Sequence, residues 1–310
     1  MRIWARHYWD ASPERANRRA NCHKVQDTVQ KAFVYDILNA GPRHRFTAAD
    51  RIVSNCRVNG WLWGQHDLLD NLRNTDLGIG HDVYCLAAAD VYGREITKGT
   101  DKTERHVGKV VTLGLGFQMG APKLQMTLAK GALGGPPVYF PLTQCQFIVN
   151  TYRAKNSAIR MGWEICKGVI EDMAAGREGS HGPINWEKDR IWLPNGMSLH
   201  YPDLRKAVDE NGWDSWSYQA GAIRKKIYGG LLCENIVQAL ARIIVMWQML
   251  QINKKYRCVM TTHDEAVALA KTAQAQRCTD FMEKWMRTAP AWCSNIPLNS
   301  EGGFSENYSK

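Results

Sequence analysis

Apolar residues recur at helical spacing over much of this chain. Between residues 61 and 132 the pattern is mostly helical, with Trp61, Leu62, Leu68, Leu69 and Leu72 forming one apolar set. The stretch GALGGPP (131–137) interrupts it with glycine and proline. Residues 143–175 return to helical spacing, with Cys145, Ile148, Val149 and Tyr152 on one face. A long helix is predicted over 231–252. Ile236, Leu240, Ile243 and Trp247 make its apolar stripe, and Glu234, Gln238 and Arg242 fall four apart on another face. A further helix is predicted near 272–288.

Strand signals are shorter. RFTAAD (45–50) is a brief apolar run ending in an acid, which suits a buried strand. RIWLPNGMSLHYP (190–202) reads as a hairpin, because apolar residues flank Pro194-Asn195-Gly196 and Asn-Gly is a strong hairpin signal. In TTHDEAVALA (261–270), His263, Asp264 and Glu265 lie between apolar runs at 258–260 and 266–270. That pattern fits two short strands whose turn lifts the acids out of the core. Residues 1–32 are rich in Arg and Asn with little periodicity and read as loosely structured. There is no internal repeat and no low-complexity linker.

Composition narrows the class. The 310 residues suffice for one large or two smaller domains, and 45% hydrophobic with 23% charged residues is ordinary for a soluble protein. Forty Lys and Arg against 30 Asp and Glu leave a net charge of +10, which favours a polyanionic partner such as nucleic acid over a basic protein with none. Nine cysteines without a CxxC pair suggest neither a disulfide framework nor a zinc site, and point to a reducing cytoplasm. No apolar run approaches a membrane span, so no membrane partner is expected. The basic N-terminus lacks the apolar core of a secretion signal.

A lone Asp-Glu pair is most often a solvated turn, but two features change the balance. Asp50 ends another short apolar run. Two strand-end aspartates brought side by side repel, and a divalent cation resolves the conflict. Hard oxygen donors suit Mg²⁺ or Mn²⁺. The second feature is ERHVGKVVTLGLGFQMG (104–120), where Arg105, Lys109, Leu113 and Phe117 are spaced by four and line one helix face. Two cations and an aromatic on one stripe could grip a triphosphate and stack on a base. The plainer alternative is a solvated basic face beside core residues. It accounts poorly for Gly108, Gly114, Gly116 and Gly120, since each glycine weakens a helix by roughly 1 kcal/mol. Close approach of a substrate would be a compensating gain.

These motifs resemble the polymerase portion of family A DNA polymerases, the DNA polymerase I group. ERHVGKVVTLGLGFQMG resembles the family's fingers helix, and TTHDEAV its His-Asp-Glu palm hairpin. HDVYCLAAADVYGREITK (81–98) is similar to the segment leading into the fingers helix, closest to bacteriophage-type members. RIWLPNGMSLHYPDL and YGGLLCENIVQALAR (228–242) resemble later palm elements, and SEGGFSENY (300–308) the family's C-terminal end. The resemblance covers roughly 44–310.

What the resemblance implies is specific. Asp50 and Asp264 would hold two Mg²⁺ ions, with Mn²⁺ as an alternative, for phosphoryl transfer to a primer 3′-hydroxyl. Glu265 would assist near the metals, and His263 would place the hairpin and primer end. Arg105 and Lys109 would bind the dNTP triphosphate, with Leu113 and Phe117 on the same nucleotide-facing stripe. Asn55 would lie under the incoming sugar, where the family usually has Glu. Arg57, Glu234, Asn235 and Gln238 would contact primer-template DNA.

The implied fold is α+β, a right-hand architecture with an antiparallel palm sheet and a mainly helical fingers subdomain. Its expected parts are a divergent or loosely ordered segment at 1–43, the first catalytic palm strand at 44–64, fingers with a hairpin insertion at 65–225, and the catalytic hairpin and C-terminal palm at 226–310. Ile52 and Asn55 depart from the family's Asp-x-Ser-x-x-Glu-x-Arg pattern, and neither a thumb nor an exonuclease segment is recognisable. The expected function is therefore a DNA polymerase of bacterial or phage-infected cytoplasm, in a truncated or impaired form. The rivals are a catalytically inactive nucleic-acid-binding remnant and, more weakly, a metal-dependent nuclease. The nuclease reading explains the acids but not the Arg105, Lys109 and Phe117 stripe.

Overall fold

The computed structural model describes residues 32–36, 47–48, 51–52, 54–208, 214–262 and 264–305. The helical spacing over 61–132 is borne out as five separate helices: α1 (Ser54–Trp63), α2 (His66–Asp76), α3 (Val83–Tyr92), α4 (Lys102–Leu115) and α5 (Ala121–Ala129). Local chemistry sets the breaks. Gly64 and Gly93 adopt left-handed φ of 75° and 65° after α1 and α3. The Asp82 carboxylate accepts from the backbone N–H groups of Tyr84 and Cys85 at the start of α3, at 2.9 and 3.0 Å. Residues 143–175 form two helices, α6 (Leu142–Lys155) and α7 (Ser157–Ala175), which meet at Asn156. The cap of α7 comes from far away in sequence: Gln65 Oε1 accepts from the N–H groups of Ala158 and Ile159. Periodicity carries no trace of such a distant acceptor.

Gly108 shows why glycine is used in α4. A Cβ there would lie 1.9 Å from the Tyr84 carbonyl oxygen and 2.8 Å from the Ala88 nitrogen. Gly114 likewise sits against the Met119 side chain. Close packing of α4 on its neighbours, rather than approach of a substrate, is what these glycines permit. Gly108→Ala is expected to destabilise the protein by at least the roughly 1–3 kcal/mol of ordinary overpacking, because the obstacle is backbone that cannot rotate away. Chemical denaturation measures it, and an unchanged midpoint would contradict the tight α3–α4 contact.

Two small antiparallel sheets follow α7. β4 (Gly179–His181), β5 (Ile184–Glu187), β6 (Arg190–Trp192) and β7 (Ser198–His200) form a meander. β8 (Arg205–Val208), β9 (Asp214–Ala220) and β10 (Ile223–Ile227) form a second sheet in the order β10-β9-β8. The Asn-Gly signal holds. The Gly196 N–H donates to the Leu193 carbonyl at 3.0 Å, and Gly196 takes φ of 78°. Pro194 and Asn195 thus occupy the centre of a turn closed by a left-handed glycine.

The central helix is α8 (Gly229–Asn253). Ile236 and Leu240 are buried as expected, while Ile243 and Trp247 are half-buried. Its buried face is wider than one stripe and includes Cys233, Val237, Ala241, Ile244 and Gln248, because α8 packs against α1, α7 and the hairpin that follows it. Contrary to the expectation from hydropathy, α8 is long and apolar enough to cross a membrane. Glu234, Asn235, Gln238, Arg242 and Gln248 interrupt it, and most of its apolar length lies in the main core.

The hairpin consists of β11 (Arg257–Thr262) and β12 (Glu265–Lys271). With β1 (Ala32–Asp36) and β13 (Gly303–Ser305) it forms an antiparallel sheet in the order β11-β12-β1-β13, backed by α9 (Ala275–Met286). This corrects two expectations. The segment 1–43 contributes an ordered strand, with Ala32 opposite Lys271 and Asp36 opposite Val267. The described part of 45–50 lies elsewhere: β2 (Thr47–Ala48) pairs with β3 (Arg51–Ile52) in a ladder of their own. AFVYD, with two aromatics and a valine, is the better strand former beside β12 than FTAA, and five residues give a longer ladder than two.

Candidate active site

Pairing of β11 with β12 ends at Thr262 opposite Glu265, and Asp264 lies in the turn just before β12. Asp264 is only 8% exposed and Glu265 is fully buried. The turn therefore does not lift the acids out of the core, as the sequence pattern suggested. Tyr84 of α3 is itself fully buried, and its phenol is pushed well above the ordinary range by burial first, then by Cys56 and Asp82, with Arg105 opposing and Asp264 adding to the rise. Asp50 and His263 lie outside the described residues. Among the described residues no three His, Cys, Asp or Glu side chains gather as a metal site.

The α4 stripe is partly as expected. Arg105 pairs with Asp82, Nη2 to Oδ2 at 2.8 Å, and its guanidinium lies over the Tyr84 ring at 5.2 Å. Lys109 is half-buried and donates to the Leu133 carbonyl at 3.4 Å. Burial, and then the charge of Arg105, lowers its pKa. Leu113 is 6% exposed and belongs to the buried interior. Phe117 is off the stripe, because α4 ends at Leu115 and Phe117 falls in the turn that follows. The helix stops there because side chains claim its last carbonyls: Trp163 Nε1 and Asn59 Nδ2 donate to the Gly116 oxygen at 3.1 and 3.4 Å. Gln118 then turns left-handed, at φ of 67°, and its Oε1 accepts from the N–H of Gly230 at the start of α8.

Asp82 and Tyr84 are the residues that sequence reasoning missed. Asp82 was visible as an acid just before an apolar helix, the usual sign of an N-cap. That its second carboxylate oxygen orients Arg105 was not.

The residues expected to touch DNA divide. Arg57 is 3% exposed, makes two 2.7 Å bonds to Asp76 and donates to the Pro297 carbonyl. Its guanidinium ties α1 to α2 and to the C-terminal segment. Asn235 donates to the Tyr201 hydroxyl at 3.0 Å, which links α8 to the β-rich insertion. Gln238 is exposed and donates to Glu234 at 3.0 Å, and Arg242 donates to Thr261 Oγ1 at 3.2 Å. This polar face of α8 therefore leads to the hairpin. Asn55 is 4% exposed at the start of α1, and its buried Oδ1 accepts no hydrogen bond among the described residues.

Buried adjacent acids at a hairpin and a helix that carries Arg and Lys one turn apart are features suited to phosphoryl transfer. No family model matches the chain. It is 28% identical over 291 residues to a DNA polymerase of Bacillus phage SP02, a match covering 86% of this chain and 41% of that protein. The chain thus spans less than half of that relative's length. Its fold is similar to the POL domain of Pol1 from M. smegmatis, solved in complex with DNA primer-template and dNTP. The TM-score is 0.57 and the identity 13%, over 89% of this chain and 40% of that one. Sequence and fold agree: the chain resembles the polymerase-domain portion of family A DNA polymerases.

Proposed function

We propose that this chain carries out template-directed addition of dNTPs to a primer 3′-hydroxyl, with the hairpin sheet as palm and the helices from α2 to α7 as fingers. The observation that carries this reading is the burial of adjacent Asp264 and Glu265 in the β11–β12 hairpin, beside which the chain supplies an Arg105 guanidinium held by Asp82 and stacked on Tyr84. Primer oxygen would bond to the α-phosphorus, the bond from that phosphorus to the bridging oxygen would break, and pyrophosphate would leave. Arg105 and Lys109 would hold the β- and γ-phosphates, and Asp82 would aim the Arg105 guanidinium. Adjacent carboxylates in a buried loop are a hard-oxygen donor set that fits Mg²⁺ or Mn²⁺, with Asp264 as ligand alongside Asp50 and Glu265 assisting. Bound there, such ions would acidify the primer hydroxyl and offset charge on the leaving pyrophosphate. Primer-template DNA and dNTPs are the partners this reading requires, and the cytoplasm its compartment. Primer extension with purified protein tests it. DNA binding without extension would favour the inactive remnant.

Asn55 bears on sugar selection. It is one methylene shorter than the Glu expected in this family, and its buried carbonyl oxygen can accept from a ribose hydroxyl. This chain should therefore exclude ribonucleotides less well than Glu-bearing relatives. Asn55→Glu should sharpen selectivity by roughly 10–200-fold, the range for one contact in a specificity pocket. Equal rNTP and dNTP ratios for both proteins would remove Asn55 from the sugar site.

A further inference from the structure

We propose that residues 131–137 form a strap that competes with the incoming triphosphate for Lys109, so that the chain restrains its own nucleotide uptake until the strap is displaced. The proposal rests on the assignment of Lys109 to the triphosphate made above. The segment is the GALGGPP break between α5 and α6. Its base is pinched on one atom. The Leu128 carbonyl, near the end of α5, accepts from the N–H groups of both Gly131 and Val138 at 3.0 Å. Chain ends held this close make a compact loop that projects as a unit. What it projects over is α4. The Leu133 carbonyl accepts from Lys109 Nζ at 3.4 Å, and Gly135 lies against the ring of His106, one turn earlier on the same helix face.

Two forces hold the strap down and two favour its release. The Leu133 side chain packs on the apolar cluster shared by α4, α5 and α6. Gly135 fits closely on His106, where a Cβ would lie 2.2 Å from the ring atoms. Against these, the strap's backbone is strained. Gly131, Leu133 and Gly134 take φ of 59°, 64° and 81°, and Leu133 carries a Cβ in a region that disfavours one. The bond to Lys109 is also poor: at 3.4 Å the carbonyl is a long, neutral acceptor, whereas a phosphate oxygen brings charge and closer approach. A strained loop on a weak bond gives way to a triphosphate. While seated it lowers apparent affinity, because only molecules with Lys109 released bind at the intrinsic strength.

The test pairs steady-state dNTP kinetics with the affinity for inorganic tripolyphosphate measured by calorimetry. Gly134→Ala is the cleanest variant. Its Cβ meets nothing within 4 Å, so it strains the strap's own backbone without reaching α4. It should lower the dNTP KM by roughly 2–13-fold, the worth of one hydrogen bond, with kcat unchanged. Affinity for tripolyphosphate should rise by the same factor. Gly135→Ala, which forces the strap and His106 apart, should act in the same direction. A loop that merely supports α4 would do the opposite, since damage to it raises KM. Gly176→Ala places the same strain after α7, at φ of 71° with nothing within 4 Å, and should leave both quantities as they are. In a Lys109→Ala background, Gly134→Ala should give no gain. An unchanged or raised KM in Gly134→Ala, an equal fall in Gly176→Ala, or a gain that survives removal of Lys109 would each overturn the proposal. If wild type extends primers but the loop variants bind tripolyphosphate no better, only the strap falls. If they bind it better but wild type does not extend primers, the strap's hold on Lys109 stands and the polymerase reading falls.

Discussion

Asp264→Asn is expected to reduce nucleotide addition by at least about 10³-fold, equivalent to about 4 kcal/mol in the barrier. The amide keeps the shape of a residue that is only 8% exposed, so the fold should survive. What it removes is the negative charge that a divalent cation requires at the hairpin apex. Affinity for primer-template DNA should change little, because that affinity comes mainly from cation–phosphate contacts elsewhere on a chain of net charge +10. Primer extension and anisotropy on the same preparation separate the two quantities. Extension within tenfold of wild type would take Asp264 out of the chemistry.

The second large effect is expected at Lys109. Lys109→Ala should lower the efficiency of dNTP use by roughly 100–1,000-fold, the range for losing one donor aimed at developing charge in a water-poor site. DNA affinity should be almost untouched. The structure favours a strong effect because the ammonium is half-buried and its pKa is lowered by burial and by Arg105. An anionic triphosphate would reverse both penalties, so the charge gains more from its ligand than an exposed lysine would. It donates to the Leu133 carbonyl at 3.4 Å, a weak bond that a phosphate oxygen can outcompete. Steady-state kinetics with varied dNTP checks this. An unaltered dNTP dependence would return Lys109 to a basic helix face with no substrate.

The two variants also discriminate between the rival readings. A non-catalytic binding protein would tolerate both substitutions, since neither is expected to weaken duplex binding. A nuclease would lose activity with Asp264→Asn but would be indifferent to Lys109→Ala. Loss of extension in both, with DNA affinity retained, is the pattern that belongs to nucleotide addition.

The sequence by itself determined the local elements and the residue types of the site. Period and turn chemistry suffice to locate α8, the hairpin with Gly196 at φ of 78°, and the pairing of β11 with β12, because each depends on contacts among near neighbours. The spacing of Arg105, Lys109 and Leu113 likewise follows from one helix. Tertiary structure decided everything that depends on distant partners. The strand beside β12 is Ala32–Asp36 because pairing selects a longer, better strand former more than 200 residues away in sequence. Arg57 is held by Asp76 and Pro297, and the turn that carries Phe117 after α4 is held by Asn59 and Trp163. Asp264 and Glu265 are buried by tertiary packing, and α4 needs Gly108 because the Tyr84 carbonyl lies where a Cβ would be. Hydrophobic period records which face of an element is covered. It holds no information about which element does the covering, and at this site that choice sets burial, charge and the aim of each side chain.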